Sequence, residues 1–400
     1  VLPMHRRQFV SLAALAALAA PAFVRQALAQ EAGLTAKTLT IGCSAATTGP
    51  LASSGLDIQR GTEAAMAQIN ARGGIHGRAL QLLMMDDAYE PERTAANVRQ
   101  MLAQGQVFAL LSCFGTPNNQ AILPLVEESG IPYVAPLSGA MSLRKGTRNV
   151  FHVRASYTDE IVRLVQRLTG MGLKGIAVVY QDNAYGREML DDATRALAAQ
   201  GQKPALQVAV ATDGKNLAGA VAQVAAARPA AVLLATAGTV SVGLVRGLRK
   251  SAPGVLLTGL SPTLPSDSLR QLGEDGSGIA LSMVVPDPHR AKLQLVRDYQ
   301  SAMRAQGHQE FTPGSLEAYV NTRVLAEGLE RTGRDPLQVR LNAALAAIRN
   351  LNLGGFMVDY SGQTPFVGSR YLDLGARGSA GRVVSRASPL IAASAYPQTA

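Results

Sequence analysis

Short apolar runs alternate with amphipathic stretches along most of the chain. Residues 38–43 (TLTIGC) read as a strand, and 57–72 place Ile58, Gly61, Ala65 and Ile69 on one helical face. The alternation continues with strand 79–85, helix 91–104 opened by Pro91, strand 107–112, helix 117–129, Gly130 and strand 131–135. A second series follows: helix 158–170, strand 175–180, helix 186–200, strand 205–210, helix 214–227, strand 230–235, helix 239–250 and strand 255–258. Beyond it lie strand 278–284, helices 291–306, 315–332 and 336–349, and a strand-rich end near 356–374. Strands that are apolar throughout, separated by helices, predict parallel sheets covered on both faces. The fold class expected is therefore α/β, with two doubly wound parallel-sheet lobes joined by several crossing strands. Segment 291–349 has helices but no sheet of its own, so it should pack back onto the first lobe. That assigns 35–154 with 284–360 to lobe 1 and 155–283 with 361–400 to lobe 2, with hinges near 154–156, 283–286 and 360–364.

The N-terminus changes the picture of where the protein works. Met4 reads as the start, followed by Arg6-Arg7-Gln8-Phe9-Val10, an Ala/Leu run of about a dozen residues, and Ala27-Leu28-Ala29 as a small-x-small cleavage site. The apolar run is too short to span a bilayer. Residues 1–29 are thus expected to be a secretory signal, twin-arginine-like or an ordinary Sec signal, and the mature protein periplasmic. The net charge of +10 falls to +7 without Arg6, Arg7 and Arg25. The remaining positive residues are scattered and lack interleaved aromatics, so nucleic acid is not an expected partner. Cys43 and Cys113 both fall in apolar strands, where buried free thiols are the expectation.

Candidate chemistry collects at strand ends, where ligands of doubly wound sheets sit. In SCFGTP, Gly115-Thr116-Pro117 opens a helix, with Thr116 a cap and Pro117 the first helical residue. The segment can present helix N–H groups to an anion, or serve as a plain cap. A nucleophile at Ser112 or Cys113 would need a base in reach. His76, His152, His289 and His308 do not fall in a catalytic pattern, and GxSxG, metal-ligand spacing, phosphate loops and the dinucleotide fingerprint are missing. No enzyme and no cofactor are expected. APLSGAMSL repeats the design one strand later: Ser138 is a cap candidate, and Gly139 lets a ligand approach the backbone. The alternative there is two ordinary turns. In YQDNAYGR, Asp182 or Asn183 should cap a helix, and Tyr185 either closes over a ligand or is an exposed turn aromatic. In ATAGT, Thr239 follows another strand end.

LTIGCSAATTGPLASSG, with GTEAAMAQINARGGIHGRALQLLMMDDAYEPERTAANVRQML, resembles the first lobe of type I periplasmic solute-binding proteins. It is more narrowly similar to the branched-chain amino acid (Leu/Ile/Val-binding) receptors of ABC transporters, and YGREML matches their second lobe. The resemblance implies a monomeric receptor that closes on a small carboxylate-bearing ligand and delivers it to an inner-membrane ABC permease. It puts the carboxylate at Gly115–Thr116 and Ser138–Gly139, a clamp at Tyr185, and lobe-2 walls at Thr239 and Ser261. Where family members place an acid for the ligand's ammonium, this chain has Ser261. The expectation is therefore an organic or aromatic acid without an ammonium, unless Asp159, Glu160, Asp182 or Glu317 faces the cleft and supplies the charge. The alternatives are a periplasmic sensor on the same fold and a secreted hydrolase.

Overall fold

The computed structural model describes residues 31–377 and 383–385. The expected signal, 1–29, lies outside the described residues. In the first lobe the order is β1 (Thr38–Ala45), α1 (Ala52–Asn70), β2 (Ala79–Asp86), α2 (Pro91–Ala103), β3 (Ala109–Leu111), α3 (Thr116–Ser129), β4 (Tyr133–Val134) and β5 (Val150–His152). The chain then crosses to α4 (Tyr157–Gly170), β6 (Ile176–Gln181), α5 (Ala184–Ala198), β7 (Leu206–Val210), α6 (Leu217–Ala227), β8 (Ala231–Ala235), α7 (Gly238–Ser251), β9 (Leu256–Gly259), α8 (Ser266–Leu272) and β10 (Ala280–Met283). It returns for α9 (Gln294–Ala305), α10 (Pro313–Thr332), α11 (Gln338–Ala346), the hairpin β11 (Leu351–Asn352) and β12 (Met357–Val358), and β13 (Phe366–Val367). It crosses again to β14 (Asp373–Arg377) and β15 (Val383–Ser385).

The first sheet runs β13-β5-β4-β3-β1-β2, parallel throughout. The second runs β15-β14-β10-β9-β8-β6-β7, parallel except for β14 and β15. Each lobe therefore starts on a strand, β1 or β6, from which the winding leaves in both directions. That reversal opens a crevice at the carboxyl ends of β1/β3 and of β6/β8, and the two crevices are where a ligand can enter. The expected α/β class and two wound sheets are what the chain forms.

Helices α9 to α11 join the first lobe, as their lack of a sheet implied. Leu295, Tyr299, Tyr319, Leu325 and Leu341 share one buried cluster with Leu39, Phe108 and Phe151. Helix α1 approaches α10 so closely that a Cβ on Gly61 would overlap the Ser315 carbonyl. Helix α1 also starts earlier than expected, at Ala52, without a side-chain cap. Helices α4 and α10 start slightly earlier than expected, on capping boxes: Ser156 with Asp159, and Thr312 with Ser315. Strand β13 pairs with β5, so the last crossover falls after Val367 and not near 361. Among the described residues no helix is long and apolar enough to cross a membrane.

Candidate ligand-binding site

The first strand-end site is built on β3 and β4. Gly115 precedes α3 with φ +98°, a conformation that favours glycine. It is the N-cap, so Thr116 is the first helical residue and not the cap. Freed from capping, the Thr116 hydroxyl bonds the Ser138 hydroxyl at 2.8 Å, and both residues are buried. Ser138 also accepts from the Ala140 N–H at 3.2 Å. The two glycines are approached closely, but by tyrosines. A Cβ on Gly115 would overlap the Tyr89 ring, and one on Gly139 would lie 2.7 Å from the Tyr157 ring and backbone nitrogen. Tyr157 donates its N–H to the Gly139 carbonyl at 2.8 Å. Tyr185 is buried and meets Tyr157 edge to face, with centroids 5.4 Å apart. Burial raises the pKa of Tyr89, Tyr157 and Tyr185 above the ordinary phenol value, so all three are neutral at pH 7.

Ser112 and Cys113 turn inward. Ser112 accepts from Asn321 at 3.0 Å, and Cys113 accepts from the Ser44 N–H at 3.4 Å. Cys43 and Cys113 are free and buried, as their strand positions suggested. Asn183 is the cap of α5, accepting from the Gly186 N–H at 3.1 Å.

The second site is a chamber of about 190 Å³ between the lobes, beside the first crossover. Lobe 1 supplies Ser54, Asp57, Ile58, Phe114, Leu137, Phe311 and Glu317; lobe 2 supplies Ser261, Leu264, Leu269, Leu281 and Ser282. Its walls are mostly apolar. Arg154, in the crossover itself, also lines the chamber and is 3% exposed. Its guanidinium pairs with Glu160 of α4 at 2.8 Å and with Glu317 of α10 at 3.4 Å, bonds the Ser261 hydroxyl, and lies 5.0 Å over the Tyr157 ring. Glu160 in turn accepts from the Ser261 N–H at 2.8 Å and from the Ser282 hydroxyl at 2.5 Å. This network ties both lobes to the crossover. Burial opposes the Arg154 charge, but Glu317 and Glu160 more than offset it and raise its pKa above that of free arginine. Burial likewise raises the Glu317 pKa, with Arg154 partly opposing. Arg154 Nε is buried and has no hydrogen-bond partner.

The lobes meet elsewhere too. Glu188 of α5 accepts from the Met141 N–H at 2.5 Å and the Ser142 hydroxyl at 2.6 Å. A Cβ on Gly238 would come within 2.8 Å of the Pro50 carbonyl. Ala237 shares a buried cluster with Leu51, Phe114 and Leu137.

Of the seven residues singled out from the sequence, Ser261 lines the chamber. Gly115, Thr116, Ser138, Gly139 and Tyr185 gather around the tyrosines next to it, joined through Phe114 and Leu137. Thr239 is exposed in the first turn of α7. Sequence reasoning passed over Arg154, Asp57, Tyr89 and Tyr157. A signal for Arg154 existed: it is the one charge between the apolar strand VFHV and the Ser156 cap, inside an expected hinge.

The profile of the family described as "Periplasmic binding protein" matches residues 38–365. "Leu/Ile/Val-binding protein homolog 3" of Brucella melitensis is 31% identical over 156 residues, 38% of this chain and 42% of that protein. The chain spans about half or less of the length of the curated relatives it matches. A substrate-binding periplasmic protein from Ralstonia solanacearum superposes with TM-score 0.81 at 28% identity, covering 87% of this chain and 100% of that one. A branched chain amino acid ABC transporter protein from Thermus thermophilus with bound valine shares the fold: TM-score 0.80, 19% identity, 90% and 98% coverage. On the breadth of the profile match, together with two wound lobes around a common chamber, the chain belongs to the type I periplasmic binding proteins.

Proposed function

We propose that this chain is the exported ligand-binding component of an ABC importer, capturing a small carboxylate-bearing, amino acid-like ligand between its lobes. The observation that carries this reading is the chamber: both lobes wall it, its lining is mainly apolar, and a buried arginine with a free Nε–H stands in its wall. The names of the relatives, Leu/Ile/Val-binding and amino acid binding, support the ligand class. Two positions suit the carboxylate. One is Arg154 Nε–H, which is unpaired but buried, so a ligand reaches it only when the side chains around it shift. The other is the Thr116–Ser138 hydroxyl pair, which needs the Tyr89 and Tyr157 rings to leave Gly115 and Gly139. We place the carboxylate at Arg154, with the Thr116–Ser138 pair and Tyr185 shaping the chamber's flank. The argument against an ammonium rested on Ser261 standing where an acid was expected. Glu160 bonds Ser261, and Glu317 lines the chamber, so acids reach this region from α4 and α10. Opening and closing about the crossovers would then expose and bury the ligand, and the closed form would dock on the permease.

A thermal-shift screen tests the reading. The protein is unfolded and refolded, then offered L-amino acids and plain aliphatic and aromatic carboxylates. A ligand at about 100 times its Kd stabilises by roughly 2.7 kcal/mol. A response confined to carboxylate-bearing probes, and lost in Arg154→Met against a folded control, is the expected outcome. A response to neutral sugars or amides alone would overturn it.

A further inference from the structure

The chamber is richer in acids than an anion receptor should be. Asp57, Asp287, Glu310 and Glu317 line it, against Arg154 and Arg270. Most of these acids are engaged. Glu317 pairs with Arg154, and Glu310 with Arg270. Asp287 accepts from the His289 N–H at 2.9 Å. Arg154 itself sits between two glutamates that already match its charge, so a lone anion gains little net attraction there.

Asp57 differs from the others. It is 7% exposed, on the face of α1 that packs against the first turn of α10, where a Cβ on Gly314 would lie 3.1 Å from its carboxylate oxygen. Its hydrogen bond is to the uncharged Thr312 hydroxyl. Arg60 and Arg270 act on it only through space, opposed by Asp267, and the Arg270 guanidinium is held by Asp267 and Glu310. A desolvated carboxylate without a cation is costly, and a chamber wall is where a ligand can supply the cation. Burial pushes its pKa up to about 6, so it is still charged at neutral pH. Arg154, which also lines the chamber, has a buried Nε without a partner.

We propose that Asp57 is the counter-charge for a primary ammonium on the ligand, which donates to its carboxylate while the ligand's apolar body lies against Phe114 and Leu137. This rests on the reading of the chamber as the ligand site, and adds that the ligand must carry a positive charge. An acid on α1 then does from lobe 1 what position 261 does not do from lobe 2.

The test uses matched probes: L-leucine, L-valine and L-phenylalanine, each with the amine that lacks its carboxylate and the acid that lacks its ammonium. Isothermal titration calorimetry at pH 7.5 measures each against the wild type and Asp57→Asn. The amino acids should bind at least tenfold tighter than their acids in the wild type, and that ratio should collapse in Asp57→Asn while the acids bind both proteins alike. Wild-type affinity for the amino acids should also fall about tenfold from pH 7 to pH 5 as Asp57 takes up a proton. Glu317, Asp287, Glu310 and His289 share the chamber, so Asp57→Asn must remove most of that pH dependence for the assignment to Asp57 to stand. Should Asp57→Asn not fold, the wild-type ratio and pH profile decide alone. Acids binding as tightly as amino acids would overturn the Asp57 proposal and leave the chamber reading intact. An unchanged ratio in Asp57→Asn would do the same. No binding by any probe would overturn both.

Discussion

The β3/β4 clamp and the interlobe chamber lie side by side, yet they handle their polar groups in opposite ways. At the clamp most polar groups satisfy one another: Thr116 bonds Ser138, Gly139 accepts from Tyr157, and tyrosine rings cover both glycines, leaving the buried Tyr185 hydroxyl and Asn118 Oδ1 without partners. In the chamber some remain unsatisfied: Arg154 Nε lacks a partner, and Asp57 lacks a cation. Buried polar groups are nearly always paired, so the exceptions carry the information about ligands. Short strand-end motifs mark where a ligand could sit. Unsatisfied groups mark where this chain has left room for one.

Removing the centre of the chamber network should have the largest effect. Arg154→Met leaves Glu160 and Glu317 buried without their cation, which should cost about 3–5 kcal/mol in denaturant-unfolding experiments. Arg154→Lys keeps the charge but not the fork that reaches both acids, and should recover only part of that loss. If Arg154→Met unfolds with the wild-type midpoint, the network is not what joins the lobes to the crossover.

Asp57→Asn should change stability in the other direction. Burial pushes the folded carboxyl up to about 6, from an ordinary value of 3.8 in the unfolded chain. Between those pH values the folded state holds a proton that the unfolded state has lost, so stability falls as pH rises through that window. The shift corresponds to roughly 3 kcal/mol. Asn keeps the shape and can still accept from Thr312, so the variant should be more stable than wild type above pH 6. The gain should vanish below about pH 4. A buried acid that costs stability and improves nothing in the apo fold is what a binding residue looks like. A destabilised Asp57→Asn at pH 8 would make Asp57 a structural group instead.

At the clamp, Thr116→Val removes one of the two partners of the buried Ser138 hydroxyl and should cost about 1 kcal/mol. Ligand affinity should stay within a few-fold, because the hydroxyl pair is not the carboxylate's first partner. A variant that keeps its stability but loses binding a hundredfold would reverse the comparison and return the carboxylate to the clamp.

The architecture was legible because it rests on periodicity. Continuous apolar strands such as Ala231–Ala235 are buried at every position, and the helices between them show one apolar face. The return of 291–349 to the first lobe followed from simple accounting of sheets and helices. The site was legible only in part. Ser261, which lines the chamber, and the two strand ends beside it could be singled out because small hydroxyl residues at strand ends have a local signature. Arg154 and Glu160 are close in sequence, but their partners Glu317 and Ser261 are distant and meet them only when the lobes pack. Nothing local in ASSGLDIQRG says that Asp57 will be buried: as α1 was read to begin at 57, that acid looked like a first-turn residue, and the true start at Ala52 turns it inward. Gly139 was read as a place where a ligand could approach the backbone, and the sequence could not say that Tyr157 lies against it, or Tyr89 against Gly115.

The smallest effect is expected at Thr239, and its smallness sharpens the comparison. Thr239 follows a strand end in the same way as Thr116, so a strand-end rule alone ranks the two equally. The structure separates them: Thr116 is 1% exposed and bonded to Ser138, whereas Thr239 is exposed at the start of α7. Its neighbour Gly238 carries the lobe contact instead, against Pro50 and Leu51. A surface substitution away from caps, cores and networks stays within about 0.5 kcal/mol. Thr239→Ala should therefore leave both unfolding midpoint and ligand affinity unchanged, while Gly238→Ala, crowding the Pro50 carbonyl, should weaken lobe closure. A tenfold loss of ligand affinity in Thr239→Ala would mean that α7 reaches the ligand, and that the chamber beside Arg154 is only one half of the site.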